Sequence, residues 1–168
     1  MGLSLKKLCM EDAEALFAFE LNNKTFFEEM VPTRGEDYYQ YEVFLSRLEA
    51  LLDEQTQGKS YFYLIKDHND TILGRMNIVD IKEAQGELGY RVGQLHTGKG
   101  IASKALKLLI GTIVEEGQIQ QLNAKTTSNN IASQKVLEKN GFEEMDTRDE
   151  TVQLNGQSLK FVNYRWRK

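Results

Sequence analysis

Gly93 is followed by four residues and then by Gly98-Lys99. That spacing is the frame of a phosphate-binding loop, in which backbone N–H groups cradle phosphate oxygens and the lysine adds a cation. The last position of the frame departs from it. A Ser or Thr there would place a hydroxyl on Mg²⁺, and this chain has Gly100. No later apolar run ends in an aspartate that could hold the metal, and Asp80 comes before the loop. The G-x-G-x-x-G spacing of a dinucleotide loop is absent too. A pyrophosphate bound without metal fits these residues better than a magnesium nucleotide.

The helix that this loop opens carries its charges against its own dipole. Lys99 and Lys104 stand at its start, Glu115 and Glu116 at its end. The macrodipole prefers the reverse, by about 0.3–1 kcal/mol per charge. A bound anion would remove the conflict, because a helix N-terminus with glycines at Gly98 and Gly100 offers free N–H groups at close range. A glycine-rich turn with solvated lysines accounts for the same residues.

The surrounding elements must position that loop. Leu3–Leu8 predicts a short strand and Met10–Asn22 a helix, with Ala13, Leu16, Phe17 and Leu21 on its apolar face. Pro32 and Gly35 interrupt the chain. A helix from about Asp37 to Leu52 would bury Tyr41, Phe44, Leu45, Leu48 and Leu52. Ser60–Lys66 and Thr71–Ile81 read as strands around a turn at Asp67–Asp70, and Glu87–Val92 as the strand entering the loop. After it come a helix with Ala102, Ala105, Leu106, Leu109 and Ile113 on its apolar face, and a strand at Gln121–Thr127. A short helix follows, with Asn130 as N-cap and Gly141 at its stop. Two strands joined at Asn155-Gly156 close the chain. Helices between runs of antiparallel strands imply an α/β (α+β mixed) fold, with a central mixed sheet flanked by helices.

The stretch Thr97-Gly98-Lys99-Gly100-Ile101-Ala102 resembles the acetyl-coenzyme A motif of the GNAT superfamily, Q/R-x-x-G-x-G/A, with Thr97 where the family has Gln or Arg. Asn130–Phe142 resembles the N-x-x-S…L-x-K-x-G-F element of the branch that includes RimJ and RimL, N-terminal acetyltransferases of ribosomal proteins. Leu21–Pro32 resembles the first-helix region of the same branch. The resemblance implies one GNAT-like acyl-CoA N-acyltransferase domain over residues 1–168, with central strands that part around the pantetheine arm. It implies acetyl transfer from acetyl-CoA to a primary amine by direct attack, foremost a protein N-terminal α-amine. A polyamine or aminoglycoside acceptor, a coenzyme-binding module without turnover, and a metal-dependent NTPase are the other readings.

Residue by residue, the resemblance assigns the pyrophosphate to Gly98, Lys99, Gly100, Ile101 and Ala102, the thioester to backbone groups near Val92, and the pantetheine arm to Asn130. Ser133, three residues after the cap, becomes the hydroxyl beside the leaving sulfur, because Leu137 stands where many relatives carry a tyrosine. A serine there could equally serve only the helix end. Glu87 is the candidate proton acceptor, with Glu28 and Glu29 as rivals and the exposed strand glutamate as the plain alternative. His96 is a further loop candidate.

The bulk composition is that of an ordinary soluble globular protein. The chain has 168 residues, 40% hydrophobic and 27% charged, with a net charge of −4 that disfavours nucleic acid. Cys9 is the sole cysteine, which excludes an internal disulfide and leaves no thiol near the motifs for an acyl-enzyme. His68 and His96 are far apart, so no metal site is expected. No apolar run approaches the ~20 residues of a membrane span, and no leader is evident, so a cytoplasmic monomer or homodimer is expected. The runs Lys66–Asp70 and Glu143–Glu150 read as solvated surface.

Overall fold

Strand order decides where a ligand can enter this sheet. The computed structural model describes residues 2–30, 34–145 and 151–168. Pro32 and the second part of the Glu143–Glu150 run lie outside the described residues. Strands β1 (Ser4–Lys7), β2 (Tyr61–Lys66), β3 (Ile72–Lys82) and β4 (Gln85–Val92) pair successively in antiparallel fashion. Helix α1 (Ala13–Asn22), helix α2 (Lys24–Met30) and helix α3 (Tyr41–Thr56) lie between β1 and β2 in the chain. After β4 the chain crosses over through α4 (Ile101–Glu116) to β5 (Gln121–Thr127), which pairs with β4 in parallel. A parallel neighbour requires such a crossover. Helix α5 (Ile131–Lys139) leads on to β6 (Glu143–Glu144), and β7 (Thr151–Leu154) forms a hairpin with β8 (Gln157–Arg167). The sheet order is β1-β2-β3-β4-β5-β8-β6, with β7 on β8. This is the mixed α/β architecture expected from the sequence.

Each face of the sheet has its own core. Helices α1, α2 and α3 pack Leu16, Phe19, Phe27, Phe44 and Leu48 against Phe62 and Leu64 of β2. Helices α4 and α5 pack Ile101, Ala105, Leu106, Leu109, Ile113 and Leu137 against Met76, Ile78, Leu88, Leu122 and Tyr164. Strand alternation fixes which residues of β3 and β4 face which layer. Arg75 lies opposite Arg91, and Asn77 opposite Gly89, on the α1–α3 side. Tyr90 and Val92 pack on the α4–α5 side.

Several local expectations shift. The first helical stretch begins as a 3-10 turn over Met10–Asp12. It ends at Asn23, whose side-chain amide donates to Phe19 O at 2.8 Å, and a separate helix α2 follows that apolar spacing did not reveal. Leu21 and Tyr41, expected in apolar faces, are exposed, while Glu20 is wholly buried. Helix α4 starts at Ile101, so Ile101 is buried and Ala102 only half-buried. The Asn155-Gly156 turn forms as expected, with φ of 52° and 77°. No helix among the described residues is long and apolar enough to cross a membrane.

Gly74 of β3 lies against the backbone of β4. A Cβ there would stand 2.5 Å from the carbonyl oxygen of Arg91 and 3.1 Å from Val92 Cα, both backbone atoms that cannot rotate away. Gly74→Ala is therefore expected to destabilise the protein by about 1–3 kcal/mol, the usual range for overpacking. Denaturant unfolding should show a lower midpoint with an unchanged slope.

Candidate active site

Strands β4 and β5 pair at three positions only: Gln85 with Gln121, Gly86 with Leu122 and Glu87 with Asn123. Beyond Glu87, β4 runs on to Val92 and β5 to Thr127 with no ladder pair between them. A cavity of about 580 Å³ occupies the gap, lined by Leu88–Val92 on one side and Ala124–Thr127 on the other. The facing strand edges therefore present backbone N–H and C=O groups to whatever enters, and such groups demand partners when shielded from water.

One end of the cavity reaches the start of α4. Gly98 and Gly100 both have φ of 75°, a conformation that side chains with a Cβ resist. Gly100 is the N-cap and provides no side-chain cap, so the first N–H groups of α4 point out unsatisfied. Thr97, Gly98, Gly100, Ile101, Ala102 and Ser103 line this end. A Cβ on either glycine would meet no protein atom within 4 Å. Their need is thus for the left-handed backbone, and the space beside them is open. The first turn of α4 carries no acidic residue and its last turn no basic one, as read from the sequence. Lys99 is exposed and is not part of the lining, whereas His96 is. Thr97 turns its hydroxyl to Gln94 O at 2.9 Å.

Helix α5 supplies the wall at mid-cavity. Asn130 Oδ1 accepts the Ser133 N–H at 3.1 Å, which is the N-cap read from the sequence. The cap uses the oxygen and leaves the Asn130 amide N–H groups available. Ser133 Oγ lies 2.9 Å from Tyr90 Oη. Both residues line the cavity. Leu137, in the tyrosine position of many relatives, is buried in the core. A phenol is present all the same, delivered by β4 instead of by α5. No local spacing points to it, since Tyr90 and Ser133 are 43 residues apart; strand alternation from Leu88 is the only signal in the chain. Burial pushes the Tyr90 phenol above its usual 10.0, and the bond to Ser133 acts in the opposite sense. Tyr90 therefore carries its proton at neutral pH.

The other half of the cavity, on the α1–α3 side, is cationic. Arg34, Arg75 and Arg91 line it around one hidden carboxylate. Glu20 is 0% exposed and accepts from Arg34 Nη1 at 2.6 Å and from Arg75 Nη1 at 2.5 Å, both on Oε1. Tyr38 Oη joins them, 2.7 Å from Arg34. Glu20 Oε2 makes no hydrogen bond with the described residues and sees only Arg91 at 3.7 Å. Burial pushes Glu20 up, yet the charges of Arg75, Arg34 and Arg91 outweigh it and hold the carboxyl below its ordinary 4.5. Phe26 and Met30 of α2 and Val152, Leu154 and Phe161 of the β7–β8 hairpin enclose this half. The hairpin tip is tied to α2 by Asn155 Nδ2, which donates to Glu29 O at 3.0 Å.

The structure thus brings Ser133, Val92, Gly98, Gly100, Ile101, Ala102 and Asn130 to one cavity. It does not bring Lys99 or Glu87 there. Glu87 is the third residue of β4, not its first, and lies exposed on the α1–α3 side, two residues short of Gly89. Alternation gives it the right face, but its depth along the strand leaves it outside. Glu28 and Glu29 do not line the cavity either, and no carboxylate does so among the described residues.

The sequence profile described as "Acetyltransferase (GNAT) domain" matches residues 3–143. The chain is 26% identical over 156 residues to "Probable N-acetyltransferase YjcK" of Bacillus subtilis (strain 168), covering 90% of this chain and 86% of that protein. It is 25% identical over 150 residues to the "[Ribosomal protein uS5]-alanine N-acetyltransferase" of Escherichia coli (strain K12), covering 87% and 77%. Its fold is similar to a RimL ribosomal L7/L12 α-N-protein acetyltransferase solved in complex with coenzyme A, with a TM-score of 0.90 at 22% identity over 99% and 94% of the two chains.

Removing the Glu20 carboxylate should leave three guanidiniums buried or half-buried without their counter-charge. Glu20→Ala is expected to cost about 3–5 kcal/mol, the range for breaking a buried pair from one side. The sign with pH follows from the lowered carboxyl. Its stabilisation is complete above the ordinary 4.5 and fades as pH falls through the folded-state value. Stability measured against pH should fall less steeply in acid for the variant than for the wild type.

Proposed function

The chain belongs to the GNAT acetyltransferase family, and on that premise we propose that residues 1–168 form one domain that moves an acetyl group from acetyl-CoA to the N-terminal α-amine of a protein. The observation that carries this reading is the cavity between the parted strands β4 and β5, with a free helix N-terminus at one end and a Tyr90–Ser133 pair along its wall. The ribosomal-protein acetyltransferases it resembles support the α-amine acceptor, and the coenzyme A bound to the RimL neighbour supports the donor.

Each part of the cavity takes a share of the work. The N–H groups of Ile101, Ala102 and Ser103 hold the pyrophosphate, with no metal required. The unpaired edges of β4 and β5 hold the amide groups of the pantetheine arm, and Asn130 adds its amide N–H. A backbone N–H near Val92 stabilises the oxyanion formed when the amine nitrogen attacks the thioester carbonyl carbon, an effect of about 2.7–4 kcal/mol per donor in other enzymes. The carbon–sulfur bond then breaks. Tyr90, relayed through or alongside Ser133, donates a proton to the departing thiolate. The amine proton leaves to water, and the Tyr90 phenolate takes a proton back from water before the next turnover. An α-amine with a pKa near about 7.7–8.0 is partly neutral already and asks little of a base. Glu87, outside the cavity, takes part only by way of that water.

Three outcomes test this. Gly100→Val should weaken coenzyme A binding strongly in titration calorimetry, while EDTA should leave wild-type binding unchanged; metal-dependent binding would refute the assignment. Ser133→Ala and Tyr90→Phe should each lower turnover by about 10²–10⁴-fold, the range for general acid groups, with a smaller change in coenzyme A affinity. The double variant should fall little further, because the two hydroxyls act as one unit. Glu87→Gln should cost only a modest loss at neutral pH that higher pH recovers. The acceptor reading itself is checked by thiol release on N-terminal peptides beside polyamines and aminoglycosides.

A further inference from the structure

The α1–α3 half of the cavity holds more positive charge than its fold needs. Three guanidiniums, Arg34, Arg75 and Arg91, surround the single carboxylate of Glu20, an excess of two positive charges. Oε1 of that carboxylate is taken by Arg34 and Arg75. Arg91 has no hydrogen bond to any described residue, although its side chain is only 20% exposed. It is held in place by the Phe27 ring, 4.6 Å away, and by Glu20 Oε2 at 3.7 Å, beyond hydrogen-bond reach. A guanidinium has five N–H donors in a fork that matches a carboxylate. Burial, together with the nearby charges of Arg34 and Arg75, pulls Arg91 down to about 10, so it is still charged at neutral pH but is short of negative partners.

The position of Arg91 says what could satisfy it. Arg91 follows Tyr90 in β4, so the two side chains leave adjacent backbone positions toward opposite faces of the sheet. The amine must reach the thioester at the level of Tyr90 and Ser133, so the part of the acceptor next to the amine passes Arg91. Consecutive Cα atoms are about 3.8 Å apart, which brings a side chain one or two residues from a peptide N-terminus within reach of the guanidinium. No carboxylate lines the cavity among the described residues, so a polycation would meet like charge with nothing to pair with.

We infer that Arg91, backed by Arg34 and Arg75, forms a carboxylate subsite that selects peptide N-termini with Asp or Glu at the second or third residue. The inference rests on the α-amine acceptor proposed above. Glu20 holds Arg34 and Arg75 in place by hydrogen bonds and leaves the Arg91 donors without a hydrogen-bond partner among the described residues. A carboxylate between them is then stabilised by charge-assisted hydrogen bonds that an amide of the same shape cannot match.

The test is steady-state acetylation of matched peptide pairs, Asp against Asn and Glu against Gln, at the second and third residues, with free aspartate, free glutamate and spermidine as further acceptors. The expected result is that acidic peptides exceed their amide partners in kcat/KM by about tenfold to a hundredfold, the range for a hydrogen bond to a charged group. In Arg91→Met the ratio should collapse toward one, since a ratio compares two substrates on the same variant. Equal use of acid and amide peptides by the wild-type enzyme overturns the carboxylate subsite and leaves the α-amine reading standing. Acetylation of spermidine with no peptide used overturns both. Free aspartate or glutamate used better than any peptide overturns the peptide as the source of the carboxylate.

Discussion

The separation of β4 from β5 is the constraint on which the rest of this structure depends. Three ladder pairs hold the two strands together at their starts, and none follows. Leaving strand edges unpaired inside a protein costs free energy unless another donor or acceptor completes them. Here the neighbours keep the strands apart: α5 sets Ser133 and Val136 against one face of the gap, and β4 is anchored on its far edge by β3 through Gly74, where no side chain fits. The sheet thus gives up hydrogen bonds in its middle to provide a slot with backbone polarity on both walls. An extended chain carrying amides suits such a slot in the same way that a missing strand would.

A second constraint operates out of sight. Glu20 touches no solvent, yet it assembles three arginines, from the stretch between α2 and α3, from β3 and from β4, into one wall of the cavity. The break between α1 and α2 at Asn23 serves the same wall, because it turns Phe27 beneath Arg91 and brings Phe26 and Met30 over the opening. Asn23 Oδ1 also accepts the Gln94 N–H at 2.8 Å, so the joint between two helices is fixed to the segment just before the Gly98–Gly100 loop. The packing of the first helices and the position of the loop are one mechanical unit.

Much of this architecture is visible in the chain itself. Aromatic and β-branched residues mark β2 and the turn at Asp67–Asp70 leads into β3, the Asn155-Gly156 pair marks the last hairpin, and the charges of α4 stand against its dipole as the sequence shows. What stays hidden depends on register. Glu87 and Gly89 look equivalent by alternation, but only the second reaches the cavity, because depth along a strand is set by where its partner stops. Tyr90 meets Ser133 only after α4 and β5 have been laid between them. Glu20 looks like the polar side of an amphipathic helix, and its arginines come from stretches 14, 55 and 71 residues away. Local spacing carries no trace of such a meeting.

The contact between the β7–β8 hairpin and α2 has a mechanical consequence. Asn155 at the hairpin tip reaches the Glu29 carbonyl 126 residues earlier in the chain. Both segments that it joins line the cavity, α2 through Phe26 and Met30 and the hairpin through Val152 and Leu154. The contact therefore ties the first and last parts of the chain across the same opening. A shift of the Asn155-Gly156 turn would be passed to α2 without travelling through the sheet.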